Sequence, residues 1–226
     1  MNRVSGAKIA AEFVGTAFLV ATVIGSGIMA TRLIPHSIGL QLLANSVATG
    51  AVLVALILTL QPVSASFNPA VTLVEAVFRS ISWLSAAILI AAQIAGGIGG
   101  AIVANLMFEL DAVSLAGHDR AGTGQWLGEV VATFGLVLVV FGGLRSHRVD
   151  TLAFAVGGYI TAAYWFTSST SFANPAVTVA RMLSDSFTGI APASVPMFIL
   201  MQLVGAALAA LVVRGIFPKP HGAVNG

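Results

Sequence analysis

The chain of 226 residues contains no cysteine and very little charge. Without cysteine there is no disulfide, no thiolate metal site and no thiol nucleophile. Charged residues make up 8% of the chain, where a soluble domain carries about a quarter, so this chain is not made for water. Its formal net charge of +2 rests on ten basic and eight acidic residues, which is weak ground for binding nucleic acid, and no nucleic-acid partner is expected. The histidines, His36, His118, His147 and His221, fall in loops or the tail without metal-ligand spacing. No serine–histidine–acid set is visible, and the Gly96–Gly100 cluster lies inside an apolar run instead of forming a phosphate loop. No catalytic residue, metal or cofactor is expected, and the chain does not read as an enzyme. No cleavable signal peptide is evident either, because the first apolar run, starting after Lys8, is long enough to span a membrane.

What is present is apolar length, with 58% of the residues hydrophobic. A spanning helix needs roughly 20 apolar residues. Six runs qualify: 8–30, 38–60, 83–107, 125–144, 151–168 and 195–217. The fifth turns polar from Thr161 to Ser171. Between the second and third runs stands Asn68-Pro69-Ala70-Val71-Thr72, and between the fifth and sixth the same five residues return as Asn174-Pro175-Ala176-Val177-Thr178. Asparagine is a strong helix N-cap, and proline fits the first helical position, where its missing N–H would be unpaired anyway. Each copy opens a segment of about 10 residues, Pro69–Phe78 and Pro175–Leu183, which as a helix extends roughly 15 Å, half of a 30 Å hydrocarbon core. Two such half-length helices read as re-entrant segments meeting near mid-membrane.

The repeat extends further. Glu12 in the first run matches Glu129 in the fourth, and Gln93-Ile94-Ala95-Gly96 in the third matches Gln202-Leu203-Val204-Gly205 in the sixth. The single membrane domain, 1–226, thus divides into repeats 1–108 and 125–218. Three spans in each half require the second half to enter from the opposite side, an inverted repeat. Basic residues set the orientation. Arg3, Lys8, Arg79, Arg145, Arg148, Arg214 and Lys219 fall on one side against Arg32, Arg120 and Arg181 on the other, which favours a multi-pass protein of the cell membrane with both termini cytoplasmic. Glycine and alanine at Gly96, Gly97, Gly99, Gly100 and at Gly205, Ala206, Ala207 let helices pack closely.

Two residue sets are left to carry function. Glu12 and Glu129 are intramembrane carboxyls, functional candidates by default. They fit either a proton relay or loop support, in which each accepts N–H groups freed by a re-entrant loop; their symmetry favours support. The paired Asn-headed half-helices are the second set. A helix N-terminus carries about half a positive charge and unpaired N–H donors, to which Asn68 and Asn174 add amide donors. A cation about 5 Å from one such unit of charge meets roughly 3 kcal/mol of opposition at an effective dielectric near 20. A neutral solute that accepts hydrogen bonds meets donors instead. Passive passage of water or small neutral solutes follows. The alternative is a coupled secondary transporter working through Glu12 or Glu129, since broken helices in inverted repeats also build those.

Together, the two Asn-Pro-Ala motifs, the internal repeat, the paired glutamates and the Gln-x-x-Gly helices resemble the aquaporin, or major intrinsic protein, family over nearly the whole chain, with short bacterial-looking tails. The resemblance implies an all-α integral membrane fold of six transmembrane helices and two re-entrant half-helices, one pore per protomer and a homotetramer in the lipid bilayer. By the same resemblance Asn68 and Asn174 are the central pore donors, and backbone carbonyls of Ser64–Phe67 and Ser169–Ala173 accept hydrogen bonds from solute. The family's narrowest point maps to Thr49 (or Ala48), Ala162, the Ser171 carbonyl and Val177. Val177 stands where the family usually has arginine, and Thr178 follows where glycerol-type members often have aspartate. Arg181, four residues on, either replaces the missing charge in part or anchors at the interface. Small filter residues imply a wide filter of aquaglyceroporin-like character, open to water, glycerol, urea and undissociated metalloid acids such as arsenous acid.

Overall fold

A computed structural model describes residues 4–217 of the chain. Arg3, Lys219 and His221, named above, lie outside the described residues. The chain forms α1 (Gly6–Leu33), α2 (Ile38–Leu60), the half-helix α3 (Pro69–Val77), α4 (Trp83–Met107), α5 (Thr123–Arg145), α6 (Val149–Phe166), the half-helix α7 (Pro175–Arg181) and α8 (Val195–Ile216). All but α6 of the six long helices have the length and apolar composition of a membrane span. The 18 residues of α6 rise about 27 Å, and the polar stretch foreseen at its end lies mostly in the loop that follows. Six long helices in two groups of three, each group carrying one half-helix, make the all-helical integral membrane architecture that the repeat implies.

Helix starts follow local chemistry. Ser5, Ser37 and Ser82 extend at the N-caps of α1, α2 and α4 and accept from Lys8, Leu40 and Ser85 N–H. Asn68 and Asn174 do the same for the half-helices, each with proline just inside. Large apolar side chains such as Phe18, Leu33, Trp83, Leu84 and Leu211 stand exposed around the outside, as expected of a surface facing hydrocarbon instead of water.

Packing repeats with the sequence. α1 lies against α4 and α5 against α8, while α2 packs on α6 across the halves. The approach is at backbone range. A Cβ at Gly96 or Gly100 would run into the Phe13 or Ala17 carbonyl of α1, and one at Gly205 into the Val130 carbonyl of α5. Only glycine admits these contacts. They draw the outer helices close enough to enclose α3 and α7.

The half-helices finish differently. α3 ends through Arg79 in the left-handed region (φ 62°), with Arg79 N–H and Ser80 N–H donating to the Ala76 and Glu75 carbonyls and Arg214 Nη2 of α8 donating to the Val77 carbonyl at 3.0 Å. α7 is closed by the loop between the halves: Ser114 N–H and Ala116 N–H donate to the Leu183 and Met182 carbonyls, and Asn105 Nδ2 donates to the Leu183 carbonyl.

Candidate functional site

The loops entering α3 and α7 carry non-helical backbone at membrane depth, so every N–H there needs a partner. Glu12 supplies four bonds. Its carboxylate accepts Ser64 Oγ–H at 2.6 Å, Ser66 N–H at 2.9 Å, Phe67 N–H at 2.7 Å and Gln93 Nε2–H at 2.8 Å. Glu129 accepts Phe172 N–H and Ala173 N–H, both at 2.9 Å, and Gln202 Nε2–H at 2.5 Å. Gln93 and Gln202 each also donate to the motif threonine, Thr72 at 2.9 Å and Thr178 at 2.8 Å. Both glutamates are fully buried. Their oxygens are occupied by backbone and amide donors in the same pattern in both halves.

Phe67 and Ala173, the residues before each asparagine, both take the left-handed conformation at φ 48°. That turn aims their carbonyls at the opposite motif. Asn68 Nδ2 donates to the Ala173 carbonyl and Asn174 Nδ2 to the Phe67 carbonyl, each at 2.7 Å. The asparagine oxygens accept Ala70 N–H and Ala176 N–H. The two half-helices are therefore strapped head to head, with one N–H of each side-chain amide in the strap. The Phe67 and Ala173 carbonyls, expected to accept from solute, are taken up by this strap.

Along one side of the meeting point runs a cavity of about 310 Å³. It reaches from Lys8 and Glu75, past Asn68 and Asn174, to Ser171, Val177 and Arg181. The two entry loops contribute polar residues, Ser64, Ser66, Asn68, Ser171 and Asn174; the long helices contribute apolar ones, with Leu53, Ile57, Leu136, Leu152, Val156 and Ile160 among their side chains. Hydrogen-bonding groups beside apolar ones let a small polar molecule exchange partners step by step without being held on every side.

Of the residues expected at the narrow end, Thr49, Ser171 and Val177 line this cavity and Ala162 does not. Ala162 is exposed on the outside of α6, and Tyr164 lines the cavity in its stead. Two residues along a helix turn the side chain through about 200°, so Ala162 and Tyr164 face opposite ways. The signal was in the period: Leu152, Val156, Ile160 and Tyr164 form an i, i+4 stripe, and Ala162 is off it. Tyr164 Oη lies 3.2 Å from Thr49 Oγ1, both residues buried. Ala48 is not among the lining residues. Ser171 has φ 51°, and its Oγ has no protein partner.

Arg181 is not an interfacial anchor. It is 2% exposed and lines the cavity. Its Nε donates to the Thr188 carbonyl, and its Cζ sits 3.3 Å from the centroid of the Phe172 ring. Arg120, from the loop between the halves, approaches the same ring at 4.9 Å and donates from Nε to the Gly189 carbonyl at 3.0 Å. Burial lowers Arg120 to about 10, which leaves it charged at neutral pH.

Two half-helices strapped head to head inside six long helices, beside one cavity lined from end to end, define a multi-pass membrane channel. The chain belongs to the major intrinsic protein family, whose model matches residues 3–150 and 144–225; members of this family are transporters without enzymatic chemistry. It is 48% identical over 208 residues to the aquaglyceroporin AqpS of Rhizobium meliloti, covering 92% of this chain and 88% of that protein. It is 30% identical over 220 residues to aquaporin-5 of Ovis aries, covering 89% and 77%. The crystal structure of the aquaglyceroporin from Plasmodium falciparum shares the fold, with a TM-score of 0.72 at 17% identity over 93% of this chain and 96% of that one.

Proposed function

We propose that this protein is a passive pore for water and small neutral solutes of glycerol or urea type, and for undissociated metalloid acids such as arsenous acid. The observation that carries the reading is the continuous cavity passing the strapped asparagines, lined by polar residues of the entry loops and apolar ones of the long helices. In it the free N–H of Asn68 and of Asn174 donates to a solute oxygen midway, while the half-helix N-termini oppose cations. The outer filter is Thr49, Tyr164, Ser171 and Val177. Thr49 and Tyr164 offer hydroxyls, Ser171 offers its carbonyl, and Val177 presents a short apolar face where a guanidinium would otherwise stand. That half-polar, half-apolar ring suits a compact molecule with several hydroxyls, the shape shared by glycerol and arsenous acid.

The repeats run 1–108 and 125–218, Glu12 and Glu129 support the pore loops, and the protein sits as a homotetramer in the cell membrane with both termini cytoplasmic. Lys8, Arg79, Arg145, Arg148 and Arg214 then face the cytoplasm. The similarity to a bacterial aquaglyceroporin supports this reading. A coupled transporter needs a carboxyl free to bind its ion, whereas Glu12 and Glu129 have their oxygens committed to the loops.

Proteoliposomes holding the purified protein test the proposal through a flux panel of water, glycerol, urea and arsenous acid. Glycerol and arsenous acid should equilibrate faster than in empty vesicles, with no dependence on a proton or sodium gradient. Rates equal to those of empty vesicles would sink it.

A further inference from the structure

Resting on the channel reading, we propose that Arg181 is the specificity-determining charge of this pore: from one helical turn beyond Val177 it supplies the cation barrier that Val177 cannot. Residues four apart share a helix face, and side chains on a helix lean toward its N-terminus. A long side chain at 181 therefore reaches back over the turn that carries Val177. Arg181 lines the same cavity as Val177, Tyr164 and Ser171, and its burial shows that its head is enclosed by the protein.

The seat of the guanidinium is built to hold it without neutralising it. A backbone carbonyl, Thr188 O, receives its Nε–H, and the Phe172 ring lies under its plane. Arg120 is held in the same manner, by the Gly189 carbonyl and the same ring. Carbonyls and an aromatic face orient a cation and satisfy its donors but leave its charge in place. Among the described residues no carboxylate is bonded to either guanidinium; Glu129, which braces the same loop, spends its oxygens on Phe172, Ala173 and Gln202. Two positive groups on one ring, in a low-dielectric wall, focus a positive potential on the end of the pore.

Register within the repeat points the same way. Arg181 is the seventh residue after Asn174, and Glu75 the seventh after Asn68. Each meets the residue two before its asparagine: Arg181 the Phe172 ring, Glu75 the Ser66 hydroxyl at 3.2 Å. Both line the cavity. The duplicated position has thus become an ionisable end of the cavity in each half, basic in one and acidic in the other.

The test measures two permeabilities in the same proteoliposomes, glycerol by light scattering and protons by an entrapped pH dye under a potassium diffusion potential. Arg181→Met, which keeps a long apolar side chain in the seat, should raise the proton-to-glycerol ratio about tenfold or more. Arg181→Lys, which keeps the charge, should stay within about threefold of the unaltered protein. A ratio unchanged in Arg181→Met while glycerol flux persists overturns the proposal. If Arg181→Met does not assemble, Phe172→Leu carries the comparison: unseating the guanidinium should raise the ratio about threefold, and an unchanged ratio there overturns the proposal equally. Absence of glycerol flux in the unaltered protein removes the channel reading itself, and the Arg181 assignment with it.

Discussion

The two half-helices α3 and α7 open on the same five residues and are braced by the same glutamate, glutamine and threonine, yet they meet the pore with different chemistry. Around α3 the cavity ends on Glu75, Ser66 and Lys8; around α7 it ends on Arg181, Phe172 and Tyr164. α3 is closed by the turn at Arg79 and by Arg214 of α8, while α7 is closed by the loop that also brings in Arg120. Groups that satisfy the backbone are duplicated without change because a re-entrant loop in hydrocarbon has a fixed number of N–H groups to satisfy. Cavity-lining groups that brace no re-entrant backbone are under no such requirement, and there the halves diverge. On the proposed reading, selectivity in this pore resides in the departures from the repeat.

The largest effect should come from breaking what the halves share. Glu12→Leu and Glu129→Leu each remove a fully buried carboxylate that accepts a pore loop's N–H groups. With two backbone N–H groups unpaired at about 1–3 kcal/mol each, either variant should lose several kcal/mol and fail to yield stable protein in detergent. The two should fail alike; near-normal yield and thermal stability in one of them would break the equivalence of the braces.

Next come the straps. Asn68→Asp and Asn174→Asp replace the amide donor with a carboxylate oxygen facing a carbonyl that only accepts. Each should cost about 1–3 kcal/mol in thermal stability. Each should also lower glycerol flux roughly tenfold, the rate equivalent of about 1.4 kcal/mol. A drop in only one of the pair would show that the two ends of the strap do not carry equal weight.

Val177→Arg puts a second guanidinium beside Thr49 and Tyr164. It should cut glycerol and urea flux about fivefold or more while reducing water flux less, since a buried cationic side chain both narrows the ring and binds hydroxyls. Equal loss for all solutes would place the narrow point elsewhere. The smallest effect should be that of Glu75→Gln. Its bond to Ser66 is long at 3.2 Å and its side chain is half-buried, so thermal stability should fall by less than about 1 kcal/mol. The proton-to-glycerol ratio should stay within about twofold, because removing an acidic group from one end does not lower a barrier set by the positive end. A leak as large as that expected of Arg181→Met would erase the contrast between the two ends.

Much of this was legible in the residues. Apolar length marked the spans, and the repeat of Asn-Pro-Ala-Val-Thr, Glu12 with Glu129 and Gln93 with Gln202 marked the braced halves. Helix starts at Pro69 and Pro175 were legible because capping depends on neighbours two or three residues away. The filter was less so. Counting back from Asn174 led to Ala162, but a count along the chain carries no rotational phase, and one step of two residues on α6 reverses the face. Arg181 reads from sequence first as an interfacial anchor, because nothing local says that Thr188, from beyond α7, and Phe172, from before it, close around its head.

The sequence by itself determined that this protein lives in a membrane, that it consists of two similar halves, and where its helices begin, since hydropathy, duplication and capping are local or periodic properties. Only the tertiary structure decided which side chains share the cavity. That Tyr164 and not Ala162 faces Thr49, that each asparagine straps the other's loop, and that Arg181 and Arg120 stack on one ring depend on groups from distant segments meeting in space. Those meetings are set by glycine-close helix packing and by the need to satisfy every buried N–H, neither of which can be read from one stretch of chain.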